Sequence, residues 1–331
     1  MATMMQVNDW LDVLRREYLE DYVKRGGAAV KFAVPQDRPT QELLMYELEK
    51  AAEASGYVFV ALDASNTKIH MIDKVFHALA KQLDWDSLAY DFLSLTLLES
   101  NYLVPEAQSD FSLAEVARLN GLGIGEMRAA MNSRMTDRIF RDYAMTQEFR
   151  IAMLRLCQAQ LDPGDVQPSI PDSVKDWLRG DLRLISALKS ALIFQKIGRH
   201  NGRHMLFSLF RWLHIVGKAG MVLTLDISRL IEAKKPSQPD GTIYYSSPAV
   251  LDGYEVLRQF IDGTDELGFA LILVVAPPSF LLPDERRGLH AYDALRLRIW
   301  DDVRDRERPN PLSSLIRLCK EAPGDLPGGP R

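Results

Sequence analysis

The sequence predicts an α/β fold, a parallel sheet interrupted by a helical insertion, and three observations predict it. An apolar strand, a turn, a helix and a second apolar strand follow one another within residues 28–65. Such a βαβ unit needs parallel strands joined by a right-handed crossover. Two further apolar runs, "GMVLTLD" (Gly220–Asp226) and "GFALILVVAPP" (Gly268–Pro278), stand late in the chain and read as strands buried on both faces. Between the two regions, from Thr67 to about Leu161, the apolar residues recur at the three- and four-residue spacing of helices.

Taken in order, Asn8–Lys24 carries Trp10, Leu11, Leu14, Tyr18 and Tyr22 at helical spacing and stops at Gly26-Gly27, which predicts an amphipathic helix with a glycine stop. "AAVKFAV" reads as a buried strand. After the turn "PQDRP", Thr40 is the expected N-cap, Glu42 falls in a first turn that favours acids, and Gly56 ends the helix "QELLMYELEKAAEAS". "YVFVALDAS" follows as the second strand. "MIDKVFHALAKQLDW", "SLAEVARLNGL" and "TDRIFRDYAMTQEFRIAMLRLCQAQL" are the clearest helical periods of the insertion, and "LDPGDVQPSIPDS" reads as a linker because its prolines and glycine break both regular structures. Helices around Ala191–Ile215 and Pro248–Ile261 are expected to cover the sheet. The tail "EAPGDLPGGPR" is expected to be disordered. The organisation read this way is 1–66, an N-terminal helix and the first part of the α/β core; 67–175, insertion and linker; 176–320, the rest of the core; and 321–331, the tail.

The chain of 331 residues is 47% hydrophobic and can bury a sizeable core, while a net charge of −5 gives no global case for nucleic-acid or membrane binding. Its basic patches therefore have to be judged singly. Cys157 and Cys319 form no CxxC pair, which argues against a disulfide framework or structural zinc and fits a reducing cytoplasm. No apolar run reaches the roughly 18 residues of a membrane span, and the N-terminal helix mixes charges into its apolar rhythm.

"VKFAVPQDRPTQELL" stands where a phosphate-binding loop stands in a nucleotide-binding α/β domain, between strand and helix. Such loops use glycines so that successive N–H groups converge on an anion, a lysine for charge and a hydroxyl for magnesium. Here Pro35 and Pro39 carry no N–H and no glycine is present. Arg38 remains as a cation and Thr40 as a hydroxyl at a helix N-terminus. The residues fit either an anion site or a plain surface turn. Asp226 closes an apolar strand where α/β sheets bind ligands, and so is a candidate magnesium anchor. Ile227 follows it in place of a glutamate, so the usual water-activating base is absent. The alternative role for Asp226 is a cap for the helix "DISRLIEAKK".

Two basic regions stand out. Arg179, Arg183, Lys189, Lys196, Arg199, Arg203, Arg211 and Lys218 face a single acid, Asp181, along Arg179–Gly220. The stretch suits either phosphates of a nucleotide or DNA backbone, or a solvated helix face paired with acids elsewhere. Arg286, Arg287, Arg296 and Arg298 surround "RRGLHAYDALRLRIW" and suit either an arginine finger reaching a neighbouring subunit of a homo-oligomer or surface salt bridges with Asp293, Asp301 and Asp302. His200 and His204, four apart, have no acid or cysteine ligand near them in sequence, which argues against a metal site.

"NGRHMLFSLFRWLHIVGKAGMVLTLDISRL", "YYSSPAVLDGYEVLRQFIDGTDELGFALILVVAPPSFL" and "RRGLHAYDALRLRIWDDVRDRERPNPLSSLIRL" resemble, in order, successive blocks of the ATP-binding P-loop proteins of bacterial BREX anti-phage systems, of the BrxD type. "VKFAV", "ELL" and "GYVFVALDAS" are similar to that family's phosphate-loop strand, helix and second strand. The resemblance implies a three-layer P-loop NTPase core of the AAA-like class with a helical insertion, ATP and magnesium as ligands, and work beside other phage-defence proteins. Carried over by position, Val34, Pro35, Gln36, Asp37, Arg38, Pro39 and Thr40 match the phosphate loop, and Asp226 matches the acid closing the Walker B strand. The loop lacks the family's glycines, lysine and adjacent Ser/Thr pattern. The expectation is therefore an ATPase-like subunit with a degenerate nucleotide site that acts through complex assembly. An active ATPase using Arg38, Thr40 and Asp226, and a DNA-binding or scaffolding module using the 179–218 stretch, are the alternatives.

Overall fold

The fold is described from a computed structural model covering residues 4–164, 166–232, 241–300 and 309–320. The chain divides into two compact units, residues 1–75 with 219–331, and residues 76–218.

The first unit holds one sheet of six strands, all parallel: β1 (Met5–Gln6), β2 (Ala28–Pro35), β3 (Tyr57–Asp63), β4 (Gly220–Asp226), β5 (Ala270–Val275) and β6 (Leu315–Cys319), in the order β1-β6-β2-β5-β4-β3. The four strands read from sequence are all present, and β2, β4 and β5 are near-continuous apolar runs because helices cover both faces. Alternation along β2 sorts the layers. Ala29 and Ala33 join Val222, Leu271, Leu273, Val275, Ile316 and Leu318 in a core under two helices, through Trp10, Leu11 and Leu14 of Val7–Leu14 and Leu44, Leu48 and Ala52 of Arg38–Ala54. On the opposite face Phe32 stacks on Phe280 at 6.4 Å between centroids, and Phe280 meets Tyr254 of helix Ser247–Asp262 at 6.0 Å. Helix, sheet and helix make the three layers.

β1 and β6 escape the sequence patterns, because two residues carry no period and "LIRLC" places an arginine inside a five-residue strand. The N-terminal helix changes pitch. Val7–Leu14 is α-helical, but Arg15–Tyr22 is wound in wider turns, with Val23 N–H donating to Tyr18 O at 2.8 Å. Five-residue closure carries Leu19 and Val23 into the core and leaves Tyr22 half exposed, so the even spacing through Tyr22 does not persist. The helix after β2 starts earlier than expected: Asp37, not Thr40, is its cap. The sequence "DISRLIEAKK" is helical over Ser228–Ile231, and its residues 233–235 lie outside the described residues, as does the tail 321–331.

The second unit is helical, with main helices Trp85–Glu99, Leu113–Leu119, Ile124–Met135, Gln147–Leu161, Ser169–Arg179 and Gly202–Ile215. Trp85 meets Phe149 at 6.5 Å and Phe92 meets Trp212 at 5.3 Å across its core. Ser169–Arg179 begins inside the proline-rich stretch read as linker, with Pro171 in its first turn, where a missing N–H costs no helical bond. The helix expected from Ala191 begins only at Gly202. Leu192 at φ 66° ends a short tight-wound turn (Ile185–Ala191), and Gly198 N–H bonds Asn201 Oδ1 at 2.8 Å, so residues 192–201 cannot continue a helix. Among the described residues no helix is long and apolar enough to cross a membrane.

Candidate functional site

The C-terminal edge of the sheet is where strand order reverses: β2 has β5 on one side and β6 on the other, with its crossover to β3 spanning two strands. Ligands of open α/β sheets bind at such a crevice. Val34, Pro35, Gln36, Asp37, Arg38, Pro39 and Thr40 all lie there, and the structure assigns most of them to regular elements. Val34 and Pro35 belong to β2, paired with Arg317 and Leu318. Helix Arg38–Ala54 takes Arg38, Pro39 and Thr40. Two residues, Gln36 and Asp37, make the whole connection.

The backbone donors of this turn are mostly committed. Gln36 N–H donates to Leu318 O at 2.8 Å and Gln41 N–H to Asp37 O at 3.1 Å. Asp37 Oδ1 accepts from the Thr40 N–H at 2.9 Å and from the Thr40 hydroxyl at 2.6 Å. Those two bonds hold the Asp37 carboxyl below the usual carboxylate range, with Lys320 adding a smaller attraction. Pro35 and Pro39 have no N–H, so within this turn the N–H groups of Asp37 and Arg38 are the ones with no partner among the described residues. The Arg38 side chain, 87% exposed, pairs with Glu42 at 2.9 Å one turn along its own helix.

Asp226 lies in register with Asp63 and Val275, and alternation along β4 turns its side chain to the face covered by helix Arg38–Ala54. Its Oδ2 accepts from Gln41 Nε2 at 2.6 Å, and its Oδ1 from the Ser228 N–H at 2.8 Å. Gln41 was not singled out by the sequence; its signal is its place one residue past Thr40, in a first turn that faces the strand ends. The Ser228 bond gives Asp226 the local capping role that its position before "ISRL" suggests. Asp63 accepts from Ser65 N–H at 2.6 Å in the same way. Beyond it the Tyr245 hydroxyl lies 2.9 Å from Ala64 O and 2.6 Å from Thr67 O, fixing the segment after β3, and burial pushes its pKa up to about 12. Among the described residues no three His, Cys, Asp or Glu converge as metal ligands.

Three of the four arginines around residue 290 are held within the first unit. Arg287 donates to Tyr245 O at 2.8 Å and lies over the Tyr244 ring. Arg296 pairs with Asp293 at 2.9 Å, and Arg298 with Asp262. Arg286 is exposed with no partner among the described residues, while Asp301 and Asp302 lie outside them.

The basic stretch falls in the second unit and separates into two groups. Arg211 pairs with Asp142 and Lys218 with Asp91, each at 2.9 Å, and Arg203 lies over the Phe207 ring. Arg179 is half-buried. Arg183, Lys189, Lys196 and Arg199 are exposed and have no carboxylate partner among the described residues, and Asp181, the one acid of the stretch, is taken by Lys81 at 2.8 Å.

The sheet thus runs β6-β2-β5-β4-β3 in parallel, with an acid closing β4. The family described as BREX system ATP-binding protein BrxC/D matches residues 19–326. The chain belongs to that family. No curated protein and no solved structure matches it.

Proposed function

We propose that this chain is an ATPase-like subunit of a BREX-type phage-defence complex whose nucleotide site is degenerate, and that it acts through assembly with other defence proteins rather than by hydrolysing ATP. Family membership carries the BREX and ATP-binding part of this reading. The observation that carries the rest is the carboxylate of Asp37 at the N-terminus of helix Arg38–Ala54, bonded to both the N–H and the hydroxyl of Thr40.

A phosphate chain needs free N–H groups converging at that helix end and a cation beside it. Here an anion of the chain itself takes the Thr40 donors, two prolines remove others, and Arg38 points into solvent toward Glu42. A magnesium ion needs open carboxylate oxygens in an octahedral shell. Asp226 gives one oxygen to Gln41 and the other to Ser228. The residues present do not fit a magnesium nucleotide at this position. Loss of hydrolysis leaves the sheet and both helical layers intact, and work through surfaces needs only those.

Calorimetric titration of the purified chain with magnesium ATP tests the proposal. The expected result is no saturable heat at millimolar nucleotide. Micromolar binding, about −8 kcal/mol, that disappears in Asp226→Ala overturns it and makes Arg38, Thr40 and Asp226 a working site.

A further inference from the structure

Four cations that have no carboxylate partner among the described residues, Arg183, Lys189, Lys196 and Arg199, share one short segment of the second unit with exposed apolar residues. Leu184 is 69% exposed, Leu192 55% and Phe194 59%, whereas Leu188, Ile193 and Ile197 of the same segment are buried. The exposed side chains are not on a loose loop. Trp177 Nε1 donates to Gln195 O at 2.9 Å, Asn201 Nδ2 to Lys196 O at 3.2 Å, and Lys196 Nζ to Arg183 O at 2.9 Å, which ties the two ends of the segment together. Leu192 holds a left-handed backbone at φ 66°, a conformation that leucine rarely adopts. A strained residue that presents an apolar side chain to water within an anchored segment marks a surface built to be covered.

From this the geometry points to a single-stranded nucleic acid as the occupant of Arg183–Arg199, bound without sequence preference. Charge complementarity selects a polyanion: Arg183, Lys189, Lys196 and Arg199 have no carboxylate among the described residues, in a chain whose net charge is −5. Phe194, exposed and two residues from Lys196 in sequence, supplies the second element of single-strand recognition, a ring on which a base stacks while cations follow the phosphates. Duplex recognition by a helix in the major groove is not available, because this segment has only a short tight-wound turn at Ile185–Ala191. The surface lies wholly in residues 76–218 and does not depend on the state of the nucleotide site.

Fluorescence anisotropy with the 331-residue chain and a labelled mixed-sequence DNA strand on the order of 20 nucleotides tests the assignment across a salt series. Four phosphate contacts predict a slope of log affinity against log salt near −3, at about −0.7 per contact. The double variant Arg183→Gln, Arg199→Gln should make the slope shallower by about 1.4. Phe194→Leu, which keeps an apolar side chain and the charge, should weaken binding roughly tenfold with the slope unchanged. Absence of salt-sensitive binding overturns the proposal, as does binding that both variants leave intact while their circular dichroism melts match the parent. If a polyglutamate peptide competes as well as the strand does and Phe194→Leu has no effect, the surface is a dock for an acidic protein segment and the nucleic-acid assignment is wrong.

Discussion

The bond from Gln41 to Asp226 ties the first turn of the helix after β2 to the end of β4. At 2.6 Å, partly buried, with an acid as acceptor, it falls in the class of hydrogen bonds to charged groups. Discounted for its partial exposure, it should contribute about 1–2 kcal/mol. Gln41→Ala removes this bond alone. Asp226→Ala removes it together with the Ser228 bond, and so should cost more. The double variant should then cost less than the sum by about 1–2 kcal/mol, the coupling of the pair. Because the chain has two units, the assay should read the first one directly. Hydrogen exchange of the β3 and β4 amides under mild denaturant gives their opening free energies in the four proteins. If the two single effects add to within about 0.3 kcal/mol, the side chains do not hold each other, and Asp226 is available to other ligands. That outcome would also remove one of the two supports for a degenerate site.

Two further outcomes follow from buried polar groups in the same sheet. Thr224 sits in the middle of β4 between Leu273 and Ala61, 1% exposed, and its hydroxyl oxygen is buried with no partner among the described residues. Thr224→Val should stabilise the first unit by about 1 kcal/mol, since an unsatisfied hydroxyl carries a desolvation cost that valine lacks; denaturant unfolding that shows a loss of similar size would mean the hydroxyl has a partner. Lys31 of β2 donates to Leu312 O at 2.5 Å and Ser313 O at 3.3 Å and lies over the Tyr18 ring, and burial lowers its pKa to about 8. A lowered amine pKa means that the unfolded chain binds more protons above pH 8, so stability contributed by this site rises from about pH 8 toward the ordinary lysine range. The difference between the parent and Lys31→Met should therefore shift in favour of the parent across that window, and a flat difference would show that Lys31 titrates normally.

Much of the fold was legible in sequence because its strands are buried on both faces. "AAVKFAV", "GMVLTLD" and "ALILVV" admit no helical stripe, and parallel order follows from the helices that separate them. β6 was not legible, since its five residues gain their place from pairing with β2 and β1 rather than from an internal pattern. The wide turns at Arg15–Tyr22 were hidden for a related reason: a period of 3.6 was imposed on residues whose core contacts demand a longer one. At the site, the missing glycines and lysine were visible, but the replacement for them was not. Asp37 reads as an ordinary turn residue until the helix is seen to begin at Arg38, which makes it a cap. Gln41 reads as a surface residue until β4 brings Asp226 beside it.

The length of the turn after β2 follows from the same pairing that hid β6. A phosphate loop has to leave the sheet early and arch over its ligand, so its residues cannot also be ladder residues. Here β6 runs alongside β2 as far as Pro35 and Leu318, and Gln36 N–H still bonds Leu318 O. The ladder thus holds the chain to its last residue before the cap. With one residue left before Asp37, the helix starts at once, and one of its first-turn donors, the Thr40 N–H, is met by the Asp37 carboxylate. Restoring glycines within the existing turn would not be enough to rebuild an anion site: the chain would also need extra residues between Pro35 and Arg38 to release it from β6. An insertion of that kind that also carries a lysine, with Asp37 replaced by glycine, should gain ATP binding in a calorimetric titration, whereas glycine substitutions at the present length should only weaken the cap.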